Sequence, residues 1–226
     1  MTYEEYTEML ENTKFSFRVG SYLYGYFDET KSDYDIFHVV DDSYAGLMEN
    51  NILFKLNIGQ MAECVDGMWY DHLFITESEY RKALADNNFI LIQSVSSDKH
   101  EGDLSNYSNS FTFDIDKCID SLNNYVGYSV SNIDYAFSNI EIHGRRNAKR
   151  RVFVPIKNLL IFKQMVLNNG IVTDFTEGND RWTIINEDPS MDSYYYKKRW
   201  IPFINNLVDE INTMLANKTS KRVKKY

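Results

Sequence analysis

The chain has 226 residues, with 33 acidic against 24 basic side chains and a formal net charge of −9. Its 43% apolar and 15% aromatic residues can bury enough surface to offset the entropy of ordering, which excludes a disordered chain. The length suits one large domain or two small lobes. Two cysteines, Cys64 and Cys118, exclude a disulfide framework and a thiolate zinc site. No stretch approaches the ~18 apolar residues of a membrane span, and the acidic start lacks a signal-peptide pattern, so a cytoplasmic protein is expected.

Thr2 and Glu5 have the spacing of a capping box, and Tyr3, Tyr6, Met9 and Leu10 fall on one face, which predicts a helix over 2–13. In KFSFRVGSY the residues Phe15, Phe17 and Val19 alternate with polar ones as in a half-buried strand ended by Gly20-Ser21. The run YDIFHVV, rich in β-branched and aromatic residues, predicts a second strand, and GMWYDHLFI over 67–75 a third. Thr76 and Glu79 then cap a helix pattern in EYRKALADNNFILIQSV. Residues 96–113 are polar, turn-rich and aperiodic, and a lobe boundary is placed there, with a first domain over 1–110.

Beyond it the periodicity is helical: Cys118, Ile119, Leu122, Tyr125 and Val126, then Ile156 to Leu167 before a stop at Gly170. A last helix is expected near 200–217, with Pro202 in its first turn. Residues 111–217 therefore form a helical domain, and 218–226 a basic, flexible tail. The fold class is α+β: a mixed β-sheet flanked by helices, followed by a mainly helical C-terminal lobe. Trp69, Trp182, Trp200 and the Tyr194-Tyr195-Tyr196 run are expected in the core or an interface.

Charge is unevenly divided. Residues 1–142 carry 8 basic and 25 acidic side chains, and residues 143–226 carry 16 basic and 8 acidic, so the two parts bear −17 and +8. An acidic part suits cations and a basic part suits phosphates. Five basic residues stand in the seven positions from Arg145 to Arg151, a concentration that suits a polyphosphate or an RNA backbone as well as a solvated helix face.

The chemistry concentrates in VGSYLYGYFDETKSDYDIFHVV. Asp33 and Asp35 are two apart, so on a strand they share a face with Cα atoms roughly 6.5–7 Å apart. Two ionised carboxylates so placed repel each other, and a divalent cation such as Mg²⁺ removes the conflict. Gly20 permits close backbone approach, and the N–H groups and hydroxyl at Ser21 can bind phosphate oxygens. The four histidines, His38, His72, His100 and His143, show no i, i+4 pair or acidic partner of metalloprotease type, and His72 is expected to face away from its neighbour Asp71.

Gly20, Ser21, Gly25, Ser32, Asp33 and Asp35 resemble the Gly-Ser, short helix, Asp-x-Asp pattern of the nucleotidyltransferase superfamily typified by DNA polymerase beta. Closer similarity is to the predicted nucleotidyltransferases of bacteria and their phages. It runs through ITESEYRKALADNNFILIQSV, NYVGYSV and the lysine-bearing helix at 157–167. The resemblance implies a nucleotidyltransferase-type sheet, two Mg²⁺ ions, an NTP substrate and transfer of NMP to an acceptor hydroxyl with release of pyrophosphate. The acceptor it leaves open between an RNA or tRNA 3′ end, a protein and a small molecule, and it suggests a phage-infected bacterial host.

It implies a third carboxylate on a neighbouring strand, for which Asp71 is the choice and Glu63 and Asp66 the alternatives. Gly20, Ser21 and Ser32 would bind phosphates, with Lys157 and Lys163 contributing from the helical lobe. There the family's Lys-x-x-x-His-x-x-Arg reads Lys157, Ile161 and Gln164, which keeps only the lysine, and Lys163 stands beside the arginine position. A second reading from the same residues is an inactive nucleotide- or RNA-binding protein on this scaffold.

Overall fold

The chain opens on the expected capping box: the Glu5 N–H donates to Thr2 Oγ1 at 3.2 Å and the Thr2 N–H to Glu5 Oε2 at 2.6 Å, starting α1 (Tyr3–Glu11). The computed structural model describes residues 1–20, 33–96, 98–172 and 179–226, so Ser21, Gly25 and Ser32 lie outside the described residues. The backbone divides into two units, Met1–Phe113 and Asp114–Tyr226.

In the first unit α1 is followed by β1 (Phe15–Arg18), β2 (Tyr34–Val40), β3 (Glu49–Asn51), β4 (Leu56–Val65), β5 (Met68–Thr76), α2 (Glu77–Ala85), β6 (His100–Gly102) and α3 (Ser105–Ser108). Six strands form one mixed sheet in the order β3-β4-β5-β2-β1-β6. β2 and β5 run parallel, and the other neighbours are antiparallel. β4, absent from the sequence reading, joins β5 through Asp66 and Gly67, whose φ angles of 52° and 83° are those of a tight hairpin turn. The helix expected to run on to Val95 stops at Ala85, where Asn87 turns left-handed at φ 50° and the Asn88 carboxamide accepts from the Ile90 and Leu91 N–H groups.

Strand alternation gives the sheet two unlike faces. On one, Phe15, Phe17 and Phe37 are fully buried, with Phe17 and Phe37 stacked at 5.4 Å and Tyr80 of α2 set against Phe15 at 5.2 Å. On the other, α1 lays Tyr6 and Met9 over Val40 and Phe74. The segment read as irregular before the boundary contains β6, which pairs with β1 and closes that edge.

The second unit is helical: α4 (Ile115–Ser131), α5 (Ile133–Ser138), α6 (Ile140–Asn168), α7 (Asn179–Glu187) and α8 (Ser193–Leu215). Asp114 caps α4 by accepting from the Asp116 and Lys117 N–H groups. α6 is broken at Gly144 (φ 76°, ψ 154°) and ends on the left-handed Asn169, one residue before the expected stop. α8 begins at Ser193 rather than near 200, so Pro202 lies in its interior, on an exposed face where water can satisfy the carbonyl that the proline leaves unpaired. Tyr196 and Trp200 are buried, whereas Trp69 of β5 is 52% exposed, so of its two expected places, core or interface, the core is excluded.

Residues 218–226 are not a loose tail. Val223 is buried, and side chains of α4 and α8 bond the surrounding backbone. Among the described residues no helix is long and apolar enough to cross a membrane.

Candidate functional site

Asp35 and Asp71 are register partners on the parallel pair β2 and β5. Partners on neighbouring strands face the same way about 4.8 Å apart, so the two carboxylates stand side by side at the N-terminal end of β2. Each is only partly buried, and two residues further along the same face gives way to the core at Phe37 and Leu73. Asp33, also partly buried, lies immediately before β2 and two residues from Asp35.

Gly20 completes this corner. The Val19 N–H donates to the Asp35 carbonyl at 3.0 Å, and Gly20 turns at φ 67° directly over the Asp35 side chain. A Cβ at Gly20 would stand 2.2 Å from Asp35 Oδ2, so only glycine leaves the carboxylate its place. The structure thus brings together Gly20, Asp35 and Asp71, with Asp33 adjacent in the chain. Trp69, two residues before Asp71, lies on the same strand face. Among the described residues, no three His, Cys, Asp or Glu side chains gather closely enough to hold a metal ion.

The alternatives for the third carboxylate stand elsewhere. Glu63 is the register partner of Tyr70, so it faces the opposite side of the sheet from Asp71, and Asp66 occupies the β4–β5 turn. In the second unit, Lys157 is buried, and Lys163 is paired at 2.7 Å with Glu210 of α8. Six helical positions separate them by about 120° around α6, so the helix does not aim them at one point.

The basic run also divides. Lys149 is 6% exposed and donates to the carbonyls of Asn186 (2.7 Å) and Asp188 (2.6 Å), closing the C-terminal end of α7. The Arg146 guanidinium lies over Trp182 at 5.7 Å, while Arg145 is exposed.

Behind the carboxylates, on the α1 face, lies a polar chain that the sequence reading missed. His38 Nε2 is 2.8 Å from His72 Nδ1, and His72 Nε2 is 3.2 Å from Glu63 Oε1. Thr13 Oγ1 is 3.4 Å from His38 Nδ1. The Glu63 carboxylate beside His72 Nε2 favours the tautomer that carries its proton there, which leaves His72 Nδ1 to accept from His38 Nε2 and His38 Nδ1 to face Thr13. Both rings are neutral in this arrangement. Beside them the Arg18 guanidinium lies over Tyr34 at 5.0 Å, and Tyr34 stacks on Tyr70 at 5.0 Å. His72 does have an acidic partner, on β4, and the signal that could have revealed it was the Asp66-Gly67 hairpin dipeptide.

Burial, the competing protonation of His72 and the nearby Arg18 guanidinium hold His38 down to about 3. Burial also lowers His72, partly offset by Glu63. A histidine held below its unfolded value of about 6.5 takes up its proton first in the unfolded chain, so its contribution is complete above that pH and is lost as pH falls toward the folded value. Stability should therefore fall as pH drops from about 7.5 to 5, with a slope from His38 that approaches about 1.4 kcal/mol per unit at its steepest. Urea titrations across this range should show the slope reduced by one proton in His38→Gln, which keeps a donor for His72 and cannot titrate. Glu77, held near 2 by Lys14 and Arg81, loses its contribution only at lower pH and does not obscure the result.

No family profile and no curated protein matches the chain. Among solved structures it is similar to a nucleotidyltransferase-like protein from Exiguobacterium sibiricum 255-15, at 10% identity and a TM-score of 0.33, over 96% of this chain and 72% of that one. So slight a likeness carries no inference about this chain.

Proposed function

We propose that the protein is a metal-dependent nucleotidyltransferase, transferring NMP from an NTP to an acceptor hydroxyl with release of pyrophosphate. The observation that carries this reading is the in-register pair Asp35–Asp71 beside a glycine that only an absent Cβ keeps open. Two carboxylates in adjacent strand positions are hard oxygen donors of the kind Mg²⁺ takes with few protein ligands and several waters. Asp33, Asp35 and Asp71 would hold the ions. When bound, Mg²⁺ neutralises charge on the triphosphate and the acceptor oxygen.

The chain's own part is to bind and orient. Gly20, Ser21 and Ser32 would take the β- and γ-phosphates through backbone N–H groups and hydroxyls, which leaves the α-phosphorus in line with the incoming oxygen. The bond from acceptor oxygen to α-phosphorus forms as the α–β bridging bond breaks, pyrophosphate carries away the electron pair, and the hydroxyl proton passes to water. An RNA end, a protein hydroxyl and a small molecule all remain suitable acceptors.

Incubating the protein and a cell lysate with NTPs labelled at the α-phosphate should yield a labelled acceptor with Mg²⁺ and none with EDTA. Tight nucleotide binding without transfer would instead establish the second reading, an inactive nucleotide or RNA binder. That reading is favoured by Ile161 and Gln164, which stand where the family pattern has a histidine and an arginine.

A further inference from the structure

Three asparagines hold residues 222–226 by the backbone. Asn212 of α8 donates to the Val223 carbonyl at 3.0 Å and accepts from the Val223 N–H at 2.9 Å. Asn205 does the same for Tyr226, at 2.6 and 2.8 Å. Asn123 of α4 donates to the Arg222 carbonyl at 3.2 Å and accepts from the Lys224 N–H at 2.8 Å. Each carboxamide therefore supplies the donor and acceptor that a neighbouring β-strand would supply.

Their spacing explains the arrangement. Asn205, Asp209 and Asn212 are four and three residues apart, one stripe of α8, and Asp120, Asn123 and Gly127 make the matching stripe of α4. Seven residues of helix rise about 10.5 Å, and three extended residues span about 10 Å, so the step from Asn212 to Asn205 matches the step from Val223 to Tyr226. The segment is thus extended, antiparallel to α8.

Recognition of side chains is added at alternate positions. Lys221 pairs with Asp120 and Lys225 with Asp209 (2.7 Å), while Val223 between them is 2% exposed. The Tyr226 ring lies where a side chain at position 127 would begin, 3.5 Å away, and its hydroxyl donates to the Asn123 carbonyl at 3.2 Å. Two acidic stripes facing a segment with four cations in residues 221–225 are complementary in charge as well as in hydrogen bonding.

None of these contacts depends on the covalent link through the exposed residues Ala216, Asn217 and Lys218. We propose that the facing stripes of α4 and α8 form a peptide-binding groove for an extended Lys-x-Val-x-Lys-Tyr segment, filled by the chain's own residues 221–226 and able to take the same segment from a second copy. Within one copy the short link gives the segment a high effective concentration, so the resident form dominates until it is released. This inference is independent of the proposed activity.

Two full-length variants test it. Asn123→Ala with Asn212→Ala disables the groove and frees an intact segment, whereas Val223→Asp ejects the segment and opens an intact groove. Each should remain monomeric by light scattering, and an equimolar mixture at tens of micromolar should double in mass, less so as salt is raised. A mixture that stays monomeric while both variants keep wild-type circular dichroism and cooperative melting overturns the proposal. Where a variant fails to fold, the wild-type chain decides. It is irradiated with millimolar synthetic peptide of residues 219–226 carrying a benzophenone side chain at position 226. Crosslinks on α4 near Gly127, lost with a scrambled peptide, support the groove, and crosslinks elsewhere or none refute it.

Discussion

Replacing Asp35 or Asp71 by asparagine should lower transfer by about 10²–10³-fold, the cost of removing one oriented charge from a phosphoryl-transfer site. The fold should persist, because asparagine keeps the size and planar shape of the side chain and both positions are only partly buried. A variant that keeps cooperative melting in EDTA, yet fails to label an acceptor in Mg²⁺, separates a functional carboxylate from a structural one. An Asp35→Asn/Asp71→Asn double variant that retained transfer would remove the basis of the proposal.

Gly20→Ala should damage both properties. A left-handed residue with a Cβ costs about 1–2 kcal/mol, and at this position the Cβ would overlap Asp35 Oδ2 at 2.2 Å and crowd Cγ at 3.1 Å. Either the carboxylate rotates away from Asp71 or the turn after β1 shifts, and a displacement of about 1 Å at a reacting centre costs on the order of 10²-fold. Gly67→Ala is the control. It has the same sign of φ, at 83°, but nothing lies within 4 Å of its Cβ, so it should lose a similar amount of stability and no transfer. Denaturant titration and the labelling assay, run on both variants, distinguish backbone strain from disturbance of the carboxylate. Equal losses of transfer in the two would show that Asp35 is not held by Gly20.

What could be read from the residues follows from where periodicity is clean. YDIFHVV is β2 from end to end, because its β-branched and aromatic residues suit a strand buried on both faces, and the Tyr6–Met9 stripe of α1 is buried because that helix has a single apolar side. β4 was invisible for the opposite reason. In LNIGQMAECV the first residues are buried and the last are exposed, so no face is apolar throughout, and its place is set by the hairpin turn and by pairing with β5. Without β4, the partner of His72 could not be seen, nor the face on which Glu63 stands.

Pro202 misplaced the start of α8, since an interior proline facing water is tolerated where the rest of the helix is well packed. The closing residues read as loose because their apolar content is a single valine. What holds them is amide chemistry from Asn123, Asn205 and Asn212, which carries no hydrophobic signature. In the candidate site, Asp33 and Asp35 are paired by spacing alone. Asp71 was reachable only through the family resemblance, because strand partnership is a non-local property. Ser21 and Ser32 lie outside the described residues.

The opposed directions of Asp71 and His72 have a consequence for how the strands find their alignment. Were β5 to slip by one position along β2, the carboxylate would enter the layer beneath Tyr6, and the imidazole would leave its partner His38. An ionised acid stranded there costs several kcal/mol, and the misplaced ring recovers nothing. The same alternation that sets two acids beside each other thus penalises the misaligned sheet, so the polar residues of this corner also act as its proofreader.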